Sequence, residues 1–258
     1  MGNNSLLLLL APELVLTVGG LAVLVLGLIW RRKESYRPLV YVAMAVALAA
    51  LCLSIVRSIG PNLPQGMFVG DRLTSFIRVL ATATAALALV LALSRPQLGN
   101  EFPALLLFAT LGIALAAGSS NLVMIYVGIE LLSITCYVLT GLLREEPRAN
   151  EAAVKYFFYG AVASAVMVYG ASFLFGLAGS FDLSVIAEAL AAPAASGVRW
   201  VAMPAAALLM VGFGFKVAAV PFHQWSPDVY EGAPTPVTAY LSVGPKLAGF
   251  AVMMRVLA

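Results

Sequence analysis

Charge is the scarcest ingredient of this chain: Asp, Glu, Lys and Arg make up 10% of its 258 residues, against 62% hydrophobic residues. A soluble domain carries about 25% charged residues. A water-soluble fold of this length could not hide so much apolar surface, so a mean hydropathy of +0.99 places the chain in a lipid bilayer. The net charge of +3 is too small to mark a nucleic-acid partner. Histidine occurs once, as His223, and cysteine twice, as Cys52 and Cys136. No metal-ligand spacing results, and both cysteines lie in apolar runs where they read as small hydrophobes. Nothing resembles a nucleophile motif, a nucleotide loop or an iron–sulfur ligand set. The N-terminus, MGNNSLLLLLAPEL, lacks a basic stretch before its apolar run. That run continues to Trp30, too long for a signal-peptide core, and reads as a retained first span.

What the chain has instead is apolar runs of membrane-crossing length. Eight candidates lie at roughly 6–30, 39–57, 73–94, 103–118, 120–143, 151–176, 200–221 and 236–257. The polar turn Gly118-Ser119-Ser120-Asn121 pairs the fourth and fifth as a hairpin. In the mixed segment 177–199, Leu183, Ile186 and Leu190 form a helical stripe suited to a short surface helix. With the N-terminus outside, the inside loops hold Arg31, Arg32, Lys33, Arg37, Arg95, Arg144 and Arg148. The outside loops hold Arg57, Arg72 and Arg199. That bias fits the positive-inside rule. The expected fold is all-α, a polytopic transmembrane helix bundle of about eight spans. Residues 1–102 form a three-helix segment, followed by a second unit at 103–258.

Four charged residues interrupt these runs. Glu130 sits ten residues into NLVMIYVGIELLSITCYVL's span, about 15 Å along a helix and near the bilayer centre. Ser133 and Tyr137 share its face. Lys216 lies well inside the seventh run, Lys246 near the middle of the eighth, and Lys155 toward the inner end of the sixth, where its ammonium could also snorkel to the interface. Each central charge costs about 2.5–3.5 kcal/mol to insert, so four would cost roughly 10–14 kcal/mol. One Glu–Lys pair that only joins helices explains two of them, not four. Proton transfer suits the set, because burial eases the loss of a lysine proton and a nearby carboxylate can hold it back. Pro221 follows Lys216 by five residues and cannot donate to the helix ladder. Pro221 and His223 therefore suggest either a broken helix lining a pathway or an ordinary helix end with His223 at the interface. Gly244-Pro245 is expected to weaken the eighth helix in the same way.

The run GFGFKVAAVPFHQWSPDVYEGAPTPVTAYLSVGPKLAGFAVMMRVL strongly resembles the core of subunit N of NADH–quinone oxidoreductase, in the antiporter-like membrane arm of respiratory complex I. VGIELLSITCYVLTGLLREEPRANEAAVKYFFYGAVASAVMVYGASFLFGLAGS and the early APELVL match the same family. The resemblance implies a proton-translocating subunit in the bacterial plasma membrane, beside other membrane-arm subunits. It implies no redox cofactor in this chain; NAD, FMN, iron–sulfur clusters and quinone belong to partner subunits. Glu130 matches the fifth-helix glutamate that modulates a proton-carrying lysine, and Lys216 matches that lysine on the broken seventh helix. Lys246 matches the lysine that passes protons toward the centre. Lys155 matches a sixth-helix lysine near the inner half-channel, and His223 a histidine beside the break. Family members have roughly fourteen spans in two inverted five-helix repeats. A chain that stops at Ala258 is therefore expected to be an N-terminal fragment holding the first repeat. Gly244-Pro245 departs from the small, non-proline residues expected before Lys246 and is expected to shift its ammonium. The related subunits of cation/proton antiporter complexes and membrane-bound hydrogenases share the Glu and Lys pattern. A purely structural membrane scaffold is a third reading.

Overall fold

The computed structural model describes residues 3–30, 36–59, 63–191 and 196–257. Arg31, Arg32 and Lys33 lie outside the described residues, as does the side chain of Arg199. The helices are α1 (Asn3–Leu9), α2 (Ala11–Ile29), α3 (Tyr36–Ser58), α4 (Arg72–Ala92), α5 (Phe102–Ala117), α6 (Leu122–Thr140), α7 (Pro147–Ala178), α8 (Leu183–Ala191), α9 (Ser196–Val217), α10 (Ser226–Gly232) and α11 (Thr235–Leu257). Seven are long and apolar enough to cross a membrane, and α5 is an eighth apolar helix of 16 residues. The eight expected runs are thus α2 to α7, α9 and α11. The surface helix expected in 177–199 is α8, with Ile186 buried.

The outer surface is apolar, unlike that of a soluble bundle. On α6, Val123, Val127, Ile134 and Val138 are exposed at helical spacing, an apolar outer stripe suited to lipid. Among the large buried side chains, alanines and glycines mark the closest helix contacts, because lipid gives two apolar helices little hydrophobic reason to meet and close backbone packing helps hold them. α5 and α6 show this best. A Cβ on Gly128 would stand 2.6 Å from the Ala116 nitrogen and 2.9 Å from the Gly112 carbonyl, so only glycine lets these backbones touch. The turn between them is the expected hairpin, with Asn121 capping α6 by accepting from the Val123 nitrogen at 3.0 Å.

Three details differ from the sequence reading. The first run is not one helix: it is interrupted at Leu10, and the span proper is α2, with Pro12 in its first turn where a missing N–H costs nothing. The connection before α4 forms a small antiparallel ladder, Leu63–Gln65 with Phe68–Gly70, pinned to the α5–α6 turn by a bridge from Phe68 to Ser119. And α11 runs unbroken through Gly244 and Pro245. Both residues are buried there, and surrounding helices hold the ladder across the one lost hydrogen bond.

Candidate functional site: a buried lysine at a broken helix

α9 breaks as the proline suggested, but earlier than expected. It ends at Val217 and the chain resumes helix only at Ser226. A proline ring clashes with the carbonyl four residues before it, which for Pro221 is that of Val217. Ala218 then turns through the left-handed region at φ 56°. Lys216 therefore lies in the last turn of α9 rather than well inside a continuous span, yet it is only 3% exposed. The freed backbone groups find partners: the Ala219 nitrogen donates to the Gly214 carbonyl at 2.8 Å, and the Trp225 indole donates to the Phe215 carbonyl at 3.1 Å. Trp225 is buried and stacks on Tyr156, centroids 4.5 Å apart. Pro221 and His223 are exposed on the loop. His223 contributes its carbonyl, which accepts from Ser226 at 3.0 Å.

The Lys216 ammonium donates to the Ser133 hydroxyl at 2.5 Å, and Ser133 donates on to the Ile129 carbonyl. The rings of Phe215 and Tyr137 lie 5.2 Å and 5.9 Å from the ammonium. Both present π-faces able to attract a cation. Glu130, half-buried one turn before Ser133, accepts instead from Ser164 on α7. Glu130 and Lys216 thus form no ion pair here; each is held by a neutral hydroxyl. Ser164 was not singled out from the sequence, where it is one polar residue in the Ala-rich stretch AVASAV. Tyr137 packs edge-on to Tyr156 at 4.7 Å, and its hydroxyl occupies the space a side chain at Gly160 would need.

The other two lysines lie on α7 and α11, the helices packed against α9. Lys155 sits in the third turn of α7 and bridges Asp228 on α10 at 2.6 Å and Glu151 at 2.7 Å. It borders an apolar cavity of about 640 Å³ between α7 and the α9 break, lined also by Phe215, Pro221 and Phe222. Lys246 is half-buried on α11, 5.8 Å from the Tyr230 ring. The Tyr230 hydroxyl is buried with no partner among the described residues. Gly249, on the Lys246 face of α11, lets that helix close on α9: a Cβ there would lie 3.1 Å from the Lys216 Cβ. Lys216 and Lys246 therefore occupy adjoining helices.

A second set of buried charges went unforeseen. Arg78 on α4 donates to Glu13 on α2 at 2.6 Å, with both side chains almost fully buried. Nearby, Arg255 at the end of α11 donates to Asp71 at 3.0 Å, to Thr74 at 2.9 Å and to the Ala117 carbonyl at 3.0 Å. Asp71 is the N-cap of α4. Burial alone would raise its carboxyl, but hydrogen bonds from Arg255 and Thr74 outweigh it and hold it below the ordinary carboxylate range. A depressed carboxyl stabilises the fold fully above the unfolded value, about 3.9, and loses that contribution as pH falls through its folded value. Wild type should therefore be more heat-stable than Asp71→Asn at neutral pH, with the gap closing in acid. A gap independent of pH would contradict this.

Comparison with known proteins fits this geometry. The sequence profile described as NADH:quinone oxidoreductase/Mrp antiporter, TM matches residues 119–258. The chain is 38% identical to a NADH-quinone oxidoreductase subunit N of Granulibacter bethesdensis over 253 residues, 96% of this chain and 52% of that protein. A chain of respiratory complex I from Thermus thermophilus, solved with bound aureothin, superposes with a TM-score of 0.81 at 32% identity, over 96% of this chain and 53% of that one. A chain of the Mrp complex of a Dietzia species shares the fold alone, with a TM-score of 0.80 at 21% identity over 96% and 48% of the two chains. The chain spans about half the length of the curated relatives it matches.

Proposed function

Since this chain belongs to the NADH:quinone oxidoreductase/Mrp antiporter membrane family, we propose that it works as a membrane-arm subunit of a proton-pumping NADH–quinone oxidoreductase. The observation that carries this reading is Lys216, buried at the end of a broken helix with a neutral hydroxyl as its hydrogen-bond partner. An ammonium so placed can give up its proton without breaking an ion pair. Glu130 is the modulator. Swung from Ser164 toward Lys216, its carboxylate would hold the proton; returned to Ser164, it would release it. A pair brought to about 4 Å at an effective dielectric near 20 gains about 4 kcal/mol, roughly a thousandfold in proton affinity. Lys155 with Asp228 forms the inner mouth, and Lys246 on the adjoining α11 is the onward carrier. Ser133 and Tyr137 support the site, Pro221 sets the helix break, and the His223 carbonyl helps cap the turn that follows it. NAD, FMN, iron–sulfur clusters and quinone belong to partner subunits, other membrane-arm subunits flank the chain in a bacterial plasma membrane, and the N-terminus lies outside. Residues 1–102 act as a support for the translocating unit at 103–258.

Glu130→Ala in the full-length protein is the test. Sealed vesicles bearing the assembled complex are expected to oxidise NADH with at least half of the proton uptake per electron lost. Normal proton-to-electron ratios would sink the reading and favour a scaffold. Since the family also includes Mrp antiporter subunits, isolation of the native complex separates the two: antiporter subunits without an NADH-oxidising module would reassign the chain.

A further inference from the structure

The buried charges divide by chemistry. At the site, the Lys216 ammonium meets a neutral hydroxyl. At the other end of α11 and α4, arginines meet carboxylates. Arg255 follows Lys246 by nine residues, about 13 Å farther along the same helix, and lies at the end away from Lys155. There it ties α11 to α4 and α5 through Asp71, Thr74 and the Ala117 carbonyl. Thr74 also donates to Asp71 at 2.8 Å, and one turn on from Thr74, Arg78 holds Glu13 at 2.6 Å. Glu13 is anchored through one oxygen only; its Oε2 is buried with no partner among the described residues.

We propose that Glu13, Arg78, Asp71 and Arg255 form an arginine-locked closure that stops protons held on the lysines from leaking out at this end. The inference rests on the proton-carrying role proposed above. A guanidinium does not deprotonate in a protein, so neither arginine can pass a proton on. The Lys216 ammonium can give up its proton where a guanidinium cannot, which is why the lysine site can conduct while this network blocks. The two carboxylates cancel the two arginines, so the closure is affordable within the bundle.

The test needs no turnover. The assembled complex carrying full-length Arg255→Gln is reconstituted into sealed vesicles, and passive proton flux is measured under a potassium diffusion potential without NADH. Flux per assembled complex is expected to rise several-fold, with Arg255→Lys close to wild type. Glu13→Gln combined with Arg78→Gln, which leaves neither charge unpaired, provides a second variant that should also leak. Lower assembly with unchanged flux per complex in both would overturn the proposal and leave the network a structural tie. A normal proton-to-electron ratio in Glu130→Ala would instead undo the pumping role while leaving the leak result standing.

Discussion

Lys216→Met in the full-length protein is expected to leave the complex assembled and at least as heat-stable as wild type, while proton uptake per electron falls to a small fraction. The two outcomes follow from one feature. An ammonium that is 3% exposed has given up its hydration for one hydroxyl and two aromatic faces. Taking a charge out of water costs several kcal/mol, and these neutral partners return only part of it. Methionine fills similar space and carries no charge, so stability should hold or rise. Ser133 keeps its bond to the Ile129 carbonyl, so no new polar group is stranded. A structural lysine would behave in the opposite way, with loss of assembly and unchanged pumping in whatever complex remained. Yield and thermal inactivation of the complex, with proton uptake in vesicles, separate the two.

The second large effect belongs to the buried Glu13–Arg78 pair. Glu13→Gln should destabilise the protein by about 3–5 kcal/mol, the usual cost of leaving a buried charge uncompensated. The glutamine can still accept from Arg78, but it no longer balances the guanidinium. Adding Arg78→Gln should recover most of the loss. A single variant as stable as wild type, or a double variant worse than the single, would show that Arg78 finds its counter-charge elsewhere. The readout is the temperature at which detergent-solubilised protein aggregates.

The spans were legible because a bilayer leaves a one-dimensional signature: about 20 apolar residues in a row. The helix break was legible from Pro221, whose ring chemistry acts locally. Its onset was not read from the sequence, which carried the run to 221 and Lys216 well inside it; the ring's clash with the carbonyl four residues back ends α9 at Val217 and puts Lys216 at a helix end. Continuity through Pro245 was not legible, because it depends on helices packed around α11. Glu13 and Arg78 escaped notice for a related reason. Each sits near one end of its run, where a charge reads as interfacial, and their meeting joins residues 65 apart in sequence. Ser164 carries no pattern of its own; only the approach of α7 to α6 gives it Glu130.

The central claim is that Glu130 and Lys216 work as one proton-handling unit. The most direct measurement is the proton-to-electron ratio of the assembled complex in sealed vesicles with Glu130→Ala, with Lys216→Met, and with both. The expected result is a lowered ratio in each single variant and a double variant no lower than the more severe single, since a unit can be disabled only once. Ratios equal to wild type in all three, at normal assembly and NADH oxidation, would contradict the account.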